Sequence, residues 1–306
     1  MKENRLLTKR EIMFRRMYED RILYLMLAPT LIYFVLFRVL PILNMRLAFF
    51  DYKRNDPWEF AGTKYFDMIF ATPAFRDILE NTLIISFMKY ILLFPLFVIF
   101  ALLLNELRSS KIQKYVQVVS YLPHFLSWVV IAGIWTSALS STGAVNTILD
   151  FFQLPSTRLL TDKEAIRWVL YWSEAWRSIG WDSIIYFTAI LSISPSLFES
   201  AEIDGANRWD IVRFIIIPAL IAPMFTVFIL NLGFFLSAGF DQVFNFTNDA
   251  VNSQIDILDT YIYRVGLSQG NYSLATAVGL LKGVVGVMLV LGTHVVSKKI
   301  TGKGVW

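Results

Sequence analysis

Three charged residues, Glu174, Arg177 and Asp182, stand inside a run that is otherwise mostly apolar, AIRWVLYWSEAWRSIGWDSIIYFTAIL. A charge at mid-bilayer costs ~2.5–3.5 kcal/mol on insertion scales, so such side chains must face protein or water. Glu174 and Arg177 are three positions apart and can pair on one helical face. They suit either the polar lining of a translocation path or a structural ion pair that holds helices together. Trp168, Trp172 and Trp176 recur at every fourth position of the same run, with Trp181 further along. Aromatic faces match the C–H faces of sugar rings, while polar neighbours take hydroxyls. The competing reading is an aromatic belt at the membrane interface, which fits Trp168 best. Asn231, in the next apolar run, is a further polar candidate for a path.

Other chemistry is poorly supplied. The chain has no cysteine, so disulfides, thiol catalysis and cysteine-ligated metal are excluded. Its two histidines, His124 and His294, are far apart in sequence, and neither a metal site nor a Ser-His-Asp constellation is readable. No Gly-x-x-x-x-Gly-Lys-Ser/Thr nucleotide loop occurs; the one Gly-Lys pair, Gly302-Lys303, lies in the tail. No catalytic residue is expected. A cofactor such as ATP with Mg would have to be bound by another chain.

The elements that must position these residues are membrane spans. Hydrophobic residues make up 56% of the 306 positions, charged residues 17%, and the mean hydropathy is +0.54. Runs of about twenty apolar residues match a hydrocarbon core of ~30 Å. Six spans are read, at about 22–42, 81–105, 116–139, 166–193, 219–240 and 274–297. Pro95 predicts a kink in the second. The segment 43–80, the loop around Ser140-Ser141-Thr142-Gly143, and an Asn- and Asp-rich stretch before the sixth span are read as outer loops. Ala275, Gly279, Gly283 and Gly286 form a small-residue packing face on the sixth span. Lys282 beside them must find a carboxylate, a carbonyl or water.

Basic residues orient the spans. Lys2, Arg5, Lys9, Arg10, Arg15, Arg16 and Arg21 make residues 1–21 a cytoplasmic segment rather than the start of a cleaved signal peptide. Residues 22–297 form the membrane domain, and 298–306 a cytoplasmic tail with Lys298, Lys299 and Lys303. Both termini then lie inside, and the net charge of +4 needs no nucleic-acid partner.

This topology leaves one polar segment, 195–218, facing the cytoplasm. Glu199, Glu202 and Asp204 come early, Gly205 is central, and Arg208, Asp210 and Arg213 alternate with apolar residues up to Pro218. The pattern predicts two short amphipathic helices split at Asp204-Gly205, with Asp204 capping the second. The segment resembles the cytoplasmic coupling loop, the EAA loop, of binding-protein-dependent ABC importer permeases. That pattern runs Glu-Ala-Ala, then Gly, then Ile-x-Leu-Pro. Here it reads Glu199-Ser200-Ala201, Asp204-Gly205-Ala206 and Ile215-Ile216-Ile217-Pro218. Ser200 and Ile217 depart from it.

Further stretches resemble the carbohydrate branch, close to the multiple-sugar and polysaccharide importers. They are Leu27-Ala28-Pro29, Phe37-Arg38-Val39-Leu40-Pro41, Phe60-Ala61-Gly62, Asn81-Thr82-Leu83, Leu122-Pro123-His124-Phe125-Leu126-Ser127-Trp128 and Gly143-Ala144-Val145-Asn146. The resemblance implies an all-α, six-span, type I importer fold in a bacterial cell membrane. It implies a second permease, two ATPase subunits and an extracytoplasmic sugar-binding protein as partners. Glu199, Ser200, Ala201, Asp204, Gly205, Ala206, Arg208 and Pro218 would meet the ATPase. The transported solute would be an oligosaccharide, with peptide or another solute as the alternative. An intramembrane enzyme acting on lipid-linked sugar would need a carboxylate or histidine cluster that is not seen.

Overall fold

The computed structural model describes residues 17–301. The basic residues from Lys2 to Arg16, and Lys303, lie outside the described residues. Among the described residues the regular structure is helical apart from one two-stranded ribbon. A long apolar helical stretch, α1 (Arg21–Phe49), leads into β1 (Phe50–Asp51) and β2 (Glu59–Phe60), paired antiparallel with Phe50 opposite Phe60. Helix α2 (Lys64–Ala71) precedes α3 (Pro73–Asn105), α4 (Ser110–Tyr121), α5 (Trp128–Leu139) and α6 (Ala144–Phe151). Then come α7 (Ile166–Leu191), α8 (Pro195–Ile203) and α9 (Arg208–Leu232). Three short helices, α10 (Phe240–Phe246), α11 (Asn252–Ile255) and α12 (Leu258–Tyr263), precede α13 (Tyr272–Thr301).

Among the described residues, five helical stretches are long and apolar enough to cross a membrane, and a sixth is found if α7 and α8 are joined across a 67° bend. The central pair is α3 against α7. Helix α3 begins at Pro73, eight residues before the expected start, because Pro is well suited to a first helical turn. Pro95 sits within it without ending it. Ile85, Ile166, Leu170 and Val243 build the middle core, and Val98, Leu104, Tyr186, Ile216 and Leu220 build a second core at the end next to α8.

Three expectations are corrected. The span read at 116–139 is broken: α4 passes into a short 3-10 turn, Leu122–Phe125, and α5 starts afresh at Trp128. Pro123 opens that turn, and Ser127 caps α5 through its side chain. The fifth span is α9 and starts as early as Arg208, running through a π turn at Val212–Ile216 and past Pro218. It ends at Leu232 rather than 240. The stretch before the sixth span, read as an outer loop, is not a plain loop: it holds α10, α11 and α12, and Val251, Ile255, Ile257 and Leu258 are buried. Asn81 and Thr82 hold it there. The Asn81 amide donates to the carbonyls of Ser253 (3.0 Å) and Asp256 (3.2 Å), and Thr82 Oγ1 accepts the Leu258 N–H (2.9 Å). Arg167 completes the clamp on Asn81 Oδ1 (2.7 Å) and the Gln254 carbonyl (3.0 Å). These bonds satisfy backbone groups that would otherwise be buried without partners.

Candidate functional site: a polar cavity and a bent helix pair

Helices α3, α7 and α9 enclose a cavity of about 490 Å³. That lies inside the ~300–1,000 Å³ range of small-molecule sites. Lys89 and Tyr90 reach it from α3, Glu174, Ser178 and Asp182 from α7, and Asn231 from α9. The end of α9 closes one wall. The chain leaves the helix at Leu232 and turns through Ala238 (φ 43°) and Gly239 (φ 92°). Lys89 Nζ locks that turn, donating to the Ala238 carbonyl (2.9 Å), Gln242 Oε1 (2.5 Å) and Glu174 Oε2 (3.3 Å). Glu174 also accepts from Ser178 Oγ (3.0 Å). Gln242 passes the network on to the Leu170 carbonyl (2.6 Å) and Ser173 Oγ (2.9 Å). Pairing of this kind is what keeps intramembrane charges tolerable.

The partner of Glu174 is thus Lys89, and the expected Glu174–Arg177 pair is not formed. A helix places residues three apart on neighbouring lines, and Arg177 turns instead toward α5. It lies 5.0 Å from the Trp128 ring and donates to the His124 carbonyl (3.4 Å). Trp181 stacks on His124 at 4.5 Å, in the break between α4 and α5. Glu174, Asp182 and Asn231 come together in the cavity, whereas Trp172, Trp176, Arg177 and Trp181 are not part of its lining. Trp168, Trp172, Trp176 and Trp181 are all exposed. Lys89, the lone charge in the middle of α3, was the missed residue, and its isolation in an apolar helix was the signal.

Close backbone contact fixes α7 against α4. A Cβ at Gly180 would collide with the Ser120 backbone. On α13, Lys282 finds Asp259 Oδ1 at 2.5 Å. The packing face is only partly used: a Cβ on Gly286 would meet the Gly233 carbonyl, while Gly279 and Gly283 face open space.

At the far end of α7 the chain bends into α8. Gly205 (φ 77°) makes the next turn, a conformation that disfavours any residue with a Cβ. Asp204 is not the cap of the second helix; it ends α8. Asn207 caps α9 instead, accepting from the Trp209 (2.9 Å) and Asp210 (3.1 Å) N–H groups, while Asp210 reaches back to the Asn207 N–H (3.1 Å). The second arm is therefore no separate short helix but the start of α9. Phe198, Ile211 and Val212 anchor the pair on the core. Glu199, Ser200, Asp204, Gly205 and Pro218 are exposed, and Ala201 and Ala206 are half-buried. Arg208 pairs with Glu106 just beyond α3 (3.1 Å). Ile203 and Trp209 are 86% and 69% exposed, so apolar surface is left uncovered beside the turn.

A helical membrane bundle with a largely apolar cavity that holds a few charged groups, and a bent, partly apolar helix pair at one end, suits a transport subunit. No family model matches the chain. It is 35% identical to protein LplB of Bacillus subtilis (strain 168), over 94% of this chain and 92% of that protein. It is also 35% identical to the polygalacturonan/rhamnogalacturonan transport system permease protein YteP of the same organism, over 97% and 94% of the two chains. A crystal structure of a bacterial ABC transporter that imports the acidic polysaccharide alginate contains a chain with TM-score 0.88 and 35% identity, covering 95% of this chain and all of that one. The chain belongs to the carbohydrate branch of the ABC importer permeases. It is a multi-pass membrane protein that transports rather than catalyses, and ATP is hydrolysed on a separate chain.

Proposed function

We propose that this chain forms half of the membrane pore of an ATP-driven oligosaccharide importer in a bacterial cell membrane, with both termini in the cytoplasm. A second, homologous permease forms the other half. Two ATPase subunits bind ATP and Mg beneath, and an extracytoplasmic protein delivers the sugar. In support, the alginate importer has been seen in complex with an alginate pentasaccharide-bound periplasmic protein. The observation that carries the coupling role is the turn at Gly205 between α8 and α9, flanked by exposed Ile203 and Trp209. Glu199, Ser200, Ala201, Asp204, Gly205, Ala206, Arg208 and Pro218 make up this element, which docks on an ATPase. Because α9 begins in it and ends at the cavity wall, a push on the turn is delivered to Asn231 and the Ala238–Gly239 bend as a rigid-body shift.

Glu174, Asp182 and Asn231 line the path itself. Trp172, Trp176 and Trp181 face outward from this chain and line the path only where the second permease closes over them, with Arg177 beside them. The test is reconstitution of the four-subunit complex in proteoliposomes. ATP hydrolysis stimulated by binding protein loaded with oligosaccharide, and lost in Gly205→Glu while the complex still assembles, supports the assignment. Stimulation unchanged in Gly205→Glu counts against it.

A further inference from the structure

Resting on the carbohydrate reading above, we propose that the cavity between α3, α7 and α9 is a sugar site that excludes anions, so that the cargo is an uncharged oligosaccharide rather than a uronate. Three charged side chains set the charge on this chain's side of the cavity: Lys89, Glu174 and Asp182. The ammonium of Lys89 is already committed to Glu174, Gln242 and the Ala238 carbonyl. Glu174 is matched by Lys89 and Ser178. No hydrogen-bond partner meets the Asp182 carboxylate among the described residues. One cation thus faces two carboxylates, and no uncommitted cation lines the cavity to receive a carboxylate from the cargo. A uronate would have to displace Glu174 from Lys89 or lie near Asp182, where like charges repel.

The remaining polar groups fit hydroxyls. Ser86 Oγ and Tyr186 Oη belong to residues of the cavity lining, lie just beneath its surface and have no hydrogen-bond partner among the described residues. The side-chain amide of Asn231 is also uncommitted among the described residues. The Asn231 amide is exposed and takes a hydroxyl directly, and small side-chain rotations bring the two hydroxyls to a polyhydroxyl ligand, which meets such groups without bringing charge. Tyr90, Phe94 and Phe235 add ring faces to the same wall. The alginate importer handles an acidic polysaccharide and the 35%-identical YteP is named for polygalacturonan and rhamnogalacturonan, so an uncharged cargo would set this chain apart from both. The basis for that difference is the charge balance of the side chains in this cavity.

The measurement is equilibrium dialysis of the purified full complex, without binding protein, against uncharged tetrasaccharides and against tetragalacturonate. The uncharged class is retained ~10-fold more tightly. Glu174→Gln frees Lys89 and shifts the ratio ~10-fold toward the uronate, because a charge-assisted bond becomes available. Asp182→Asn keeps the side-chain shape and breaks no hydrogen bond or ion pair among the described residues, so it assembles and raises uronate retention ~3-fold by removing a like charge. Equal retention of both classes, or a ratio unmoved in both variants, overturns the charge assignment and leaves carbohydrate transport standing. Retention of neither class, with sugar uptake by the complete transporter intact, overturns the cavity as the site. Failure of the complete transporter to take up any carbohydrate, charged or not, contradicts the broader reading instead.

Discussion

Lys89 holds three acceptors at once, and its relation to Glu174 sets the behaviour of the cavity. The two side chains are 11% and 18% exposed. Breaking such a pair strands a charge, so Lys89→Met lowers stability by ~3 kcal/mol, read as a fall in the melting temperature of the purified complex. The double variant Lys89→Met, Glu174→Gln recovers most of that loss, since removing both charges is far less costly than removing one. A double variant as unstable as the single would show that Lys89 acts through the Ala238 turn alone. At Gly205 the space is open but the backbone angle is left-handed. A side chain there costs roughly 1–2 kcal/mol. Gly205→Ala should therefore keep assembly and reduce coupled ATP hydrolysis less than Gly205→Glu, which adds bulk and charge to the docking face.

Asn207 and Asp210 form a reciprocal cap at the start of α9. Asn207→Ala destabilises this end by about 1 kcal/mol, measurable as faster amide exchange over 207–212 with the rest of the chain unaffected. On the opposite side of the bundle, Asp51 accepts from Tyr65 Oη (2.6 Å) and Lys64 Nζ (2.9 Å). Those bonds, Tyr65 first, hold its carboxyl below the ordinary aspartate value of 3.8. A depressed carboxylate contributes stability above its unfolded pKa and loses it as pH falls through the folded one. The β1–β2 ribbon is therefore expected to loosen only below about pH 3.8. Limited proteolysis of residues 50–65 against pH checks this, and Asp51→Asn should remove the pH dependence. The sequence made the apolar elements visible because length and hydropathy alone define them, as with α3 and α13. The break before Trp128 was hidden inside an apolar run. So was the burial of 251–258, whose polar letters read as a loop. Only long-range bonds from Asn81, Thr82 and Arg167 explain it. In the site, Glu174, Asp182 and Asn231 were legible as polar groups in apolar runs. The partner of Glu174 was not, because it lies on another helix.

For the molecule as a whole, α9 joins the exposed turn to the cavity, the two ends to which function is assigned above. It starts at the turn beside α8 and finishes at the cavity wall, so on the proposed reading one continuous helical stretch connects docking to cargo. Asn207 and Gly205 shape one end, and Lys89 restrains the other. The central claim is that the exposed turn between α8 and α9 lies in the cytoplasm against an ATPase. The chain has no cysteine, so Ile203→Cys at the most exposed apolar position of that turn is a unique probe. Cross-linking in membranes should join this chain to the ATPase subunit, with a yield that changes when ATP binds, and a membrane-impermeant thiol reagent added to intact cells should leave Ile203→Cys unlabelled. Labelling from outside, or cross-linking that never captures an ATPase in an assembled complex, would contradict the account.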